Sequence, residues 1–93
     1  MIISFKDKGT EKIYNREYSR DFPADMQRIA MKRLWMIDAV PDMNSLRIPP
    51  GNKLVTLNGS RTGQYGMSIN NKWRICFKWN DGNAYEVEIS EYQ

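Results

Sequence analysis

The run from Lys72 to Trp79 constrains this chain more than any other stretch. Trp73, Ile75, Phe77 and Trp79 alternate there with Lys72, Arg74, Cys76 and Lys78. A period of two sends successive side chains to opposite faces, so this is a strand with one apolar and one basic side. Asn70-Asn71 before it and Asn80-Asp81-Gly82-Asn83 after it are turn formers that tolerate positive φ. Tyr85, Val87 and Ile89 then form the apolar side of a last strand, opposite Glu86 and Glu88. By this alternation Tyr85 belongs to the core. Upstream, Lys53 to Leu57 and Tyr65 to Ile69 are expected as two further strands, separated by a turn at Asn58-Gly59. Short connections between such strands imply an antiparallel sheet.

The sheet needs a cover on its aromatic side, and the N-terminal half supplies it. Ile2, Ile3 and Phe5 suggest a short first strand, and Lys8 to Tyr14 a surface helix. Pro23 suits the first turn of a longer helix, where Asp21 or Asp25 can serve the free amides. At 100° per residue, Met26, Ile29, Ala30, Leu34, Ile37 and Val40 share one stripe that faces the sheet. Pro41 ends the helix, and Met43 to Leu46 make one further turn. Met31 and Trp35 fall on nearly the opposite side. They either cover the first helix in an αα-hairpin or form a docking surface for another protein. The expected fold class is α+β, a single domain over residues 1–93 with N-terminal helices packed on an antiparallel β-sheet.

Composition removes several chemistries. The sequence has one cysteine, Cys76, and no histidine. An internal disulfide, clustered-cysteine metal sites and every histidine-based triad are therefore ruled out, and no metal ligand set or cofactor is expected. Cys76 reads as a small filler, with no imidazole to activate it. The opening residues are interrupted too early by Lys6 and Asp7 for a signal peptide, and no apolar run approaches a membrane span. A cytoplasmic protein is expected.

The net charge of +3 says little until it is placed. A sheet face carrying Lys72, Arg74 and Lys78 suits phosphate, because arginine presents a planar fork to two oxygens. Arg74 sits mid-strand, where the backbone restrains it, and Lys53, Arg61 and Lys72 extend the positive surface. The other reading is a solvated face that alternation requires without any ligand. Tyr92 either stacks on a base or packs over the sheet edge.

The stretch from Gly59 to Phe77, with Gly66-Met67-Ser68-Ile69-Asn70-Asn71-Lys72-Trp73-Arg74-Ile75-Cys76-Phe77 at its centre, resembles the central signature of HigB-type toxins of the RelE superfamily. Ile2-Ile3-Ser4-Phe5-Lys6, Ile37-Asp38-Ala39, Asp81-Gly82-Asn83-Ala84-Tyr85 and the ending Glu91-Tyr92-Gln93 match in the same order. The resemblance covers essentially the whole chain. It implies a RelE-like fold similar to compact microbial ribonucleases, and an enzyme that cleaves messenger RNA in the A site of the 70S ribosome. It also implies an antitoxin of the HigA type carrying a helix-turn-helix domain, with operator DNA contacted only through that partner.

Carried over by position, the family's arginine falls on Arg74, which would hold the scissile phosphate. Its terminal acidic residue and tyrosine fall on Glu91 and Tyr92. Where the best-known members close with histidine, this chain has Gln93, and where some carry histidine and lysine before the central glycine it has Val55 and Asn58. The resemblance thus implies catalytic roles for Arg74, Glu91, Tyr92 and Gln93. RNA contacts are expected from Lys53, Asn58, Arg61, Lys72 and Lys78, and antitoxin contacts from Met31 and Trp35. Gln93 cannot exchange a proton near neutral pH, so weakened cleavage or a noncatalytic RNA- or protein-binding module is the competing expectation.

Overall fold

The fold was obtained as a computed structural model, which describes residues 1–92. Two helices, α1 (Lys8–Tyr14) and α2 (Ala24–Ala39), precede a four-stranded antiparallel sheet of order β1-β2-β3-β4. The strands are β1 (Val55–Thr56), β2 (Tyr65–Ser68), β3 (Trp73–Asn80) and β4 (Asn83–Glu91). Short 3-10 turns occupy Met43–Arg47, Pro50–Asn52 and Gly59–Arg61. Both expected helices and the four expected sheet strands are therefore present, although the Lys53–Leu57 strand shrinks to Val55–Thr56 and the expected N-terminal strand does not form. Lys53 itself turns left-handed at φ 48°.

The α1 helix starts where Asp7 caps it. The Thr10 backbone N–H donates to Asp7 Oδ2 at 2.9 Å, and the Thr10 hydroxyl donates to Oδ1 at 2.8 Å. The same hydroxyl accepts from the Ile89 backbone N–H at 3.0 Å, which fastens the helix to β4. Pro23 stands one position earlier than expected, as the cap of α2, and no side chain serves the free amides there. Met26, Ala30, Leu34 and Ile37 are buried as the stripe requires, and Met67, Ile75, Phe77, Val87 and Ile89 meet them from the sheet. Ile29 departs from the stripe and is 41% exposed. Gln27 is buried instead, where it holds the preceding loop through Ser19 and Phe22.

The N-terminal segment makes no full strand. Ile2 and Phe5 form isolated parallel bridges with Ala84 and Val87, covering the outer edge of β4. An open edge invites pairing with other chains, and this cover blunts it. The second departure is at Tyr85. Glu86 takes φ 51° at an irregularity opposite Cys76 and Lys78, and the Ser4 hydroxyl accepts from its backbone N–H. That bulge shifts the alternation by one, so Ala84 is buried and Tyr85 lies opposite Lys78 on the basic face.

Candidate active site and phosphate-binding face

Pairing between strands assigns the expected site residues to faces. Arg74 stands opposite Ser68 on β2 and opposite Ser90 on β4, all on the face away from the helices. Trp73 stands opposite Glu91 on the helix-covered side, where its ring meets Phe22 edge-on. Tyr92 follows Glu91 and returns to the Arg74 face. Its backbone N–H donates to the Lys72 carbonyl at 2.9 Å, and its ring lies 5.2 Å from the Arg74 guanidinium carbon. Arg74 and Tyr92 therefore converge, and Glu91 does not join them. The Glu91 carboxylate instead approaches Lys72 Nζ at 3.9 Å. Gln93 lies outside the described residues.

The basic face is less open than its sequence suggests. Lys78 pairs with Glu86 at 2.6 Å, and that ammonium holds the Glu86 carboxyl below its usual range. Glu88 receives both Arg61 at 3.1 Å and Lys6 at 3.3 Å. Thus Arg61, Lys72 and Lys78 each have a carboxylate partner, whereas Arg74 has none within salt-bridge distance among the described residues. Arg74 Nε is also buried without a hydrogen-bond acceptor among the described residues. A buried donor on a charged group left unmatched costs roughly 1–3 kcal/mol or more. An arriving anion would remove that cost.

Ser68 and Tyr92, which flank Arg74, line a cavity of about 290 Å³ together with Lys53, Asn70 and Asn71, whereas Arg74 itself does not line it. Arg33, which sequence reasoning did not single out, braces the cavity's surroundings from α2 without lining it. Its Nη1 donates to Asn52 Oδ1 at 2.7 Å and to the Ser68 carbonyl at 3.0 Å, while buried Asn52 donates to the Leu46 carbonyl. These bonds fix the turn that presents Lys53. An arginine on the polar side of a helix gives no sequence signal for such a role, because its partners come from distant loops. Asn58 precedes the 3-10 turn Gly59–Arg61 and is exposed, and it does not line this cavity.

Cys76 is fully buried on the Arg74 face. Burial pushes its thiol pKa up, against the lowering influence of Arg61 and Arg74. It is a neutral filler, as its lack of an activating base implied. Gly66 lies opposite it, and a Cβ there would come within 3.0 Å of Leu57 Cδ2. A glycine is what lets Leu57 close over this part of the sheet.

On the helical side, Trp35 donates its indole N–H to the Tyr14 carbonyl at 3.0 Å, and Arg16 stacks 4.6 Å from its ring. These contacts are those of hairpin packing between α1 and α2. Met31 is half-buried against the core and also lines a hollow of about 360 Å³ with Arg16, Tyr18, Gln27 and Arg28. Tyr18 is exposed beside it. Among the described residues, no helix is long and apolar enough to cross a membrane, and no cluster of side chains could hold a metal ion.

This geometry can be set beside known proteins. The chain is 31% identical over 94 residues to Toxin HigB-1 of Vibrio cholerae serotype O1 (strain ATCC 39315 / El Tor Inaba N16961), spanning 100% of this chain and 99% of that protein. It is 33% identical over 93 residues to Endoribonuclease HigB of Proteus vulgaris, spanning 99% of each. Its fold resembles a chain of the YoeB-YefM complex from Staphylococcus aureus with a TM-score of 0.58 at 19% identity, covering 100% of this chain and 95% of that one. Residues 3–91 match the family described as the RelE-like toxin of type II toxin-antitoxin system HigB. With nearly every residue inside that match, the chain belongs to the HigB family of RelE-like toxins.

Proposed function

We propose that this chain is a ribosome-dependent endoribonuclease that cleaves messenger RNA in the A site and so inhibits translation. The observation that carries this reading is Arg74, whose guanidinium lacks a carboxylate among the described residues while Arg61, Lys72 and Lys78 have theirs. In this reading Arg74 binds the scissile phosphate. The RNA 2′ oxygen attacks the adjacent 3′ phosphorus, and the bond to the 5′ oxygen breaks. The products are a 2′,3′-cyclic phosphate and a 5′-hydroxyl. Negative charge grows on the phosphoryl oxygens during this step, and a fixed cation beside them lowers the barrier.

The proton transfers are the weak part of the machinery. Tyr92 presents a phenol that can donate to the departing 5′ oxygen. Glu91 is on the other side of the sheet, and a carboxamide at Gln93 neither takes nor gives a proton near neutral pH. Water then takes the 2′ proton, and the reaction is slow. Lys53 in the cavity lining adds a cation, while Lys72 and Lys78 contribute charges shared with Glu91 and Glu86. Asn58, exposed ahead of the 3-10 turn, lies farther along the same path for RNA. A HigA-type helix-turn-helix antitoxin restrains the toxin, and operator DNA is contacted through that partner alone. The hollow bearing Met31, with Trp35 behind it, is the surface assigned to the antitoxin. The chain acts in the cytoplasm, where its substrate is.

The test is single-turnover cleavage of messenger RNA on 70S ribosomes with the product ends identified. Arg74→Ala should lose about 10²-fold or more in rate, if its charge stabilises the transition state. Circular dichroism and ribosome binding establish that the variant is folded and delivered. The second reading, a noncatalytic RNA-binding module, is favoured by the position of Glu91. It predicts ribosome binding by the parent chain with no new RNA ends.

A further inference from the structure

Arg61 presents the same chemistry as Arg74 but stands in a different setting. Its Nη1 donates to Gln64 Oε1 at 3.2 Å and to Glu88 Oε2 at 3.1 Å, and its Nη2 donates to Ser90 Oγ at 3.1 Å. The side chain is only 22% exposed and its Glu88 partner 18%. A guanidinium has five N–H donors, and here both terminal nitrogens already have acceptors inside the protein. Little of it remains to meet a phosphate.

What Arg61 touches is informative. Ser90 stands directly opposite Arg74, and its hydroxyl also approaches the Glu91 carbonyl at 3.3 Å. Glu91 connects to Tyr92, whose backbone is tied to Lys72. Glu88 is anchored a second time by Lys6, ahead of α1. The turn segment that carries Arg61 is closed on itself by backbone bonds, from the Arg61 N–H to the Asn58 carbonyl and from the Leu57 N–H to the Gln64 carbonyl, but none of these reaches β4. The arginine is the fastening between this turn and the end of β4.

We infer that Arg61 is a positioning residue, which holds the Arg74–Tyr92 pair in register through Ser90 and Glu88, and is not an RNA contact. Its catalytic consequence rests on the endoribonuclease reading above, but its structural consequence does not. A planar fork that bonds Glu88 and Ser90 together has no equivalent in lysine, which offers one point of charge. A phosphate contact, by contrast, would tolerate lysine.

The experiment compares the parent chain with Arg61→Lys, Arg61→Gln and Glu88→Gln. The first measurement is the NMR signature of the Arg74–Tyr92 stack: cross-peaks between the Tyr92 ring and the Arg74 Hδ protons, and the ring-induced upfield shift of those protons. The second is the single-turnover cleavage rate and the salt dependence of ribosome binding. Positioning predicts a weakened stack in both Arg61 variants and in Glu88→Gln. It also predicts a rate loss of about 10-fold to 10²-fold from misplacement, with the salt slope unchanged and no rescue by lysine. An intact stack in folded Arg61→Gln overturns the inference, as does full rescue by Arg61→Lys with a salt slope reduced by about one contact in Arg61→Gln. If Arg61→Gln does not fold, Arg61→Lys decides by the same signals. If the parent chain cleaves nothing, the endoribonuclease reading fails and the NMR comparison still decides the role of Arg61.

Discussion

The Arg74 guanidinium carbon lies 5.2 Å from the centre of the Tyr92 ring, while Arg74 Nε is buried with no acceptor among the described residues. The two facts belong together. A cation over an aromatic face gains only about 0.5–1 kcal/mol at a partly exposed site, and Tyr92 is 42% exposed. That is less than an unsatisfied charged donor costs. The stack therefore aims the guanidinium without neutralising it. Among the described residues, the nearby carboxylates are engaged elsewhere: Glu86 by Lys78, Glu88 by Arg61 and Lys6, Glu91 by Lys72. The arrangement keeps one forked cation available on a face whose other charges are largely matched.

Glu91 is expected to be dispensable for cleavage. Its side chain belongs to the Trp73 side of the sheet, and its contact with Lys72 is a loose pair between two exposed groups. Such pairs contribute about 0–1 kcal/mol. Glu91→Gln should leave the single-turnover rate within about 3-fold of the parent, far short of the 10²–10⁴-fold of a general base. A loss of 10²-fold in a folded variant would return the catalytic base to Glu91.

Trp35→Ala should cost stability before it costs partner affinity. The substitution removes a ring from the α1–α2 seam, leaves the Tyr14 carbonyl without its indole donor and strips Arg16 of its stack. Replacing a buried aromatic by alanine costs about 3–5 kcal/mol, and a half-buried one about 2–3 kcal/mol. Urea denaturation measures this directly. Met31→Ser, on the wall of the hollow beside Tyr18, should show the opposite balance: a modest stability loss and a clear fall in antitoxin affinity. Unchanged affinity in Met31→Ser would move the partner surface elsewhere.

The elements with sustained periods were legible in the sequence. Trp73, Ile75, Phe77 and Trp79 could take only one arrangement relative to Arg74, and Met26, Ala30, Leu34 and Ile37 of the α2 stripe followed from spacing, although Ile29 of the same stripe is exposed. Tyr85 was not legible, because its side depends on a bulge at Glu86 held by Ser4 from 82 residues away. The placement of Glu91 was within reach. Alternation through Val87 and Ile89 points it to the helix side, yet resemblance to the family's terminal triplet suggested the site. Pairing of Arg61 and Lys78 with Glu88 and Glu86 was hidden for the same reason as Tyr85, since cross-strand register and loop docking decide it. Arg33 and Asn52 carry no pattern at all.

Alkaline pH should destabilise the fold through Cys76 and Tyr14. Burial raises the Cys76 thiol above its ordinary value of 9.0. Burial also raises the Tyr14 phenol above 10.0, with further contributions from its hydrogen bond to Asp38 and that carboxylate's charge. The sign follows from proton counting. Above about pH 9 the unfolded chain releases the thiol proton while the folded chain keeps it, so stability falls as pH rises. Tyr14 adds the same sign about one unit higher. The urea midpoint of the parent chain should therefore drop between pH 8.5 and 10.5 more steeply than that of Cys76→Ala. Parallel slopes for the two proteins would show that the thiol does not contribute.

The final expectation concerns the residue at which this chain parts from the best-known members of the type it resembles. Gln93 has a donor and an acceptor but no usable proton equilibrium near pH 7, and it immediately follows the tyrosine that stacks on Arg74. In the proposed mechanism, the 2′ proton then has no imidazole to receive it. Gln93→His should raise the single-turnover rate by about 10²-fold, the lower range for a restored general acid or base. It should also introduce a rise in rate with pH near the ordinary histidine range, about 6–7, that the parent chain lacks. The substitution should leave ribosome affinity and its salt slope unchanged, because the change is to proton transfer and not to phosphate binding. An unchanged rate with a flat pH profile would show that Tyr92 and water already carry the protons. A faster rate that still requires Arg74, by contrast, would separate the two contributions: charge stabilisation from the arginine, present in this chain, and proton transfer from the terminal position, which its glutamine withholds.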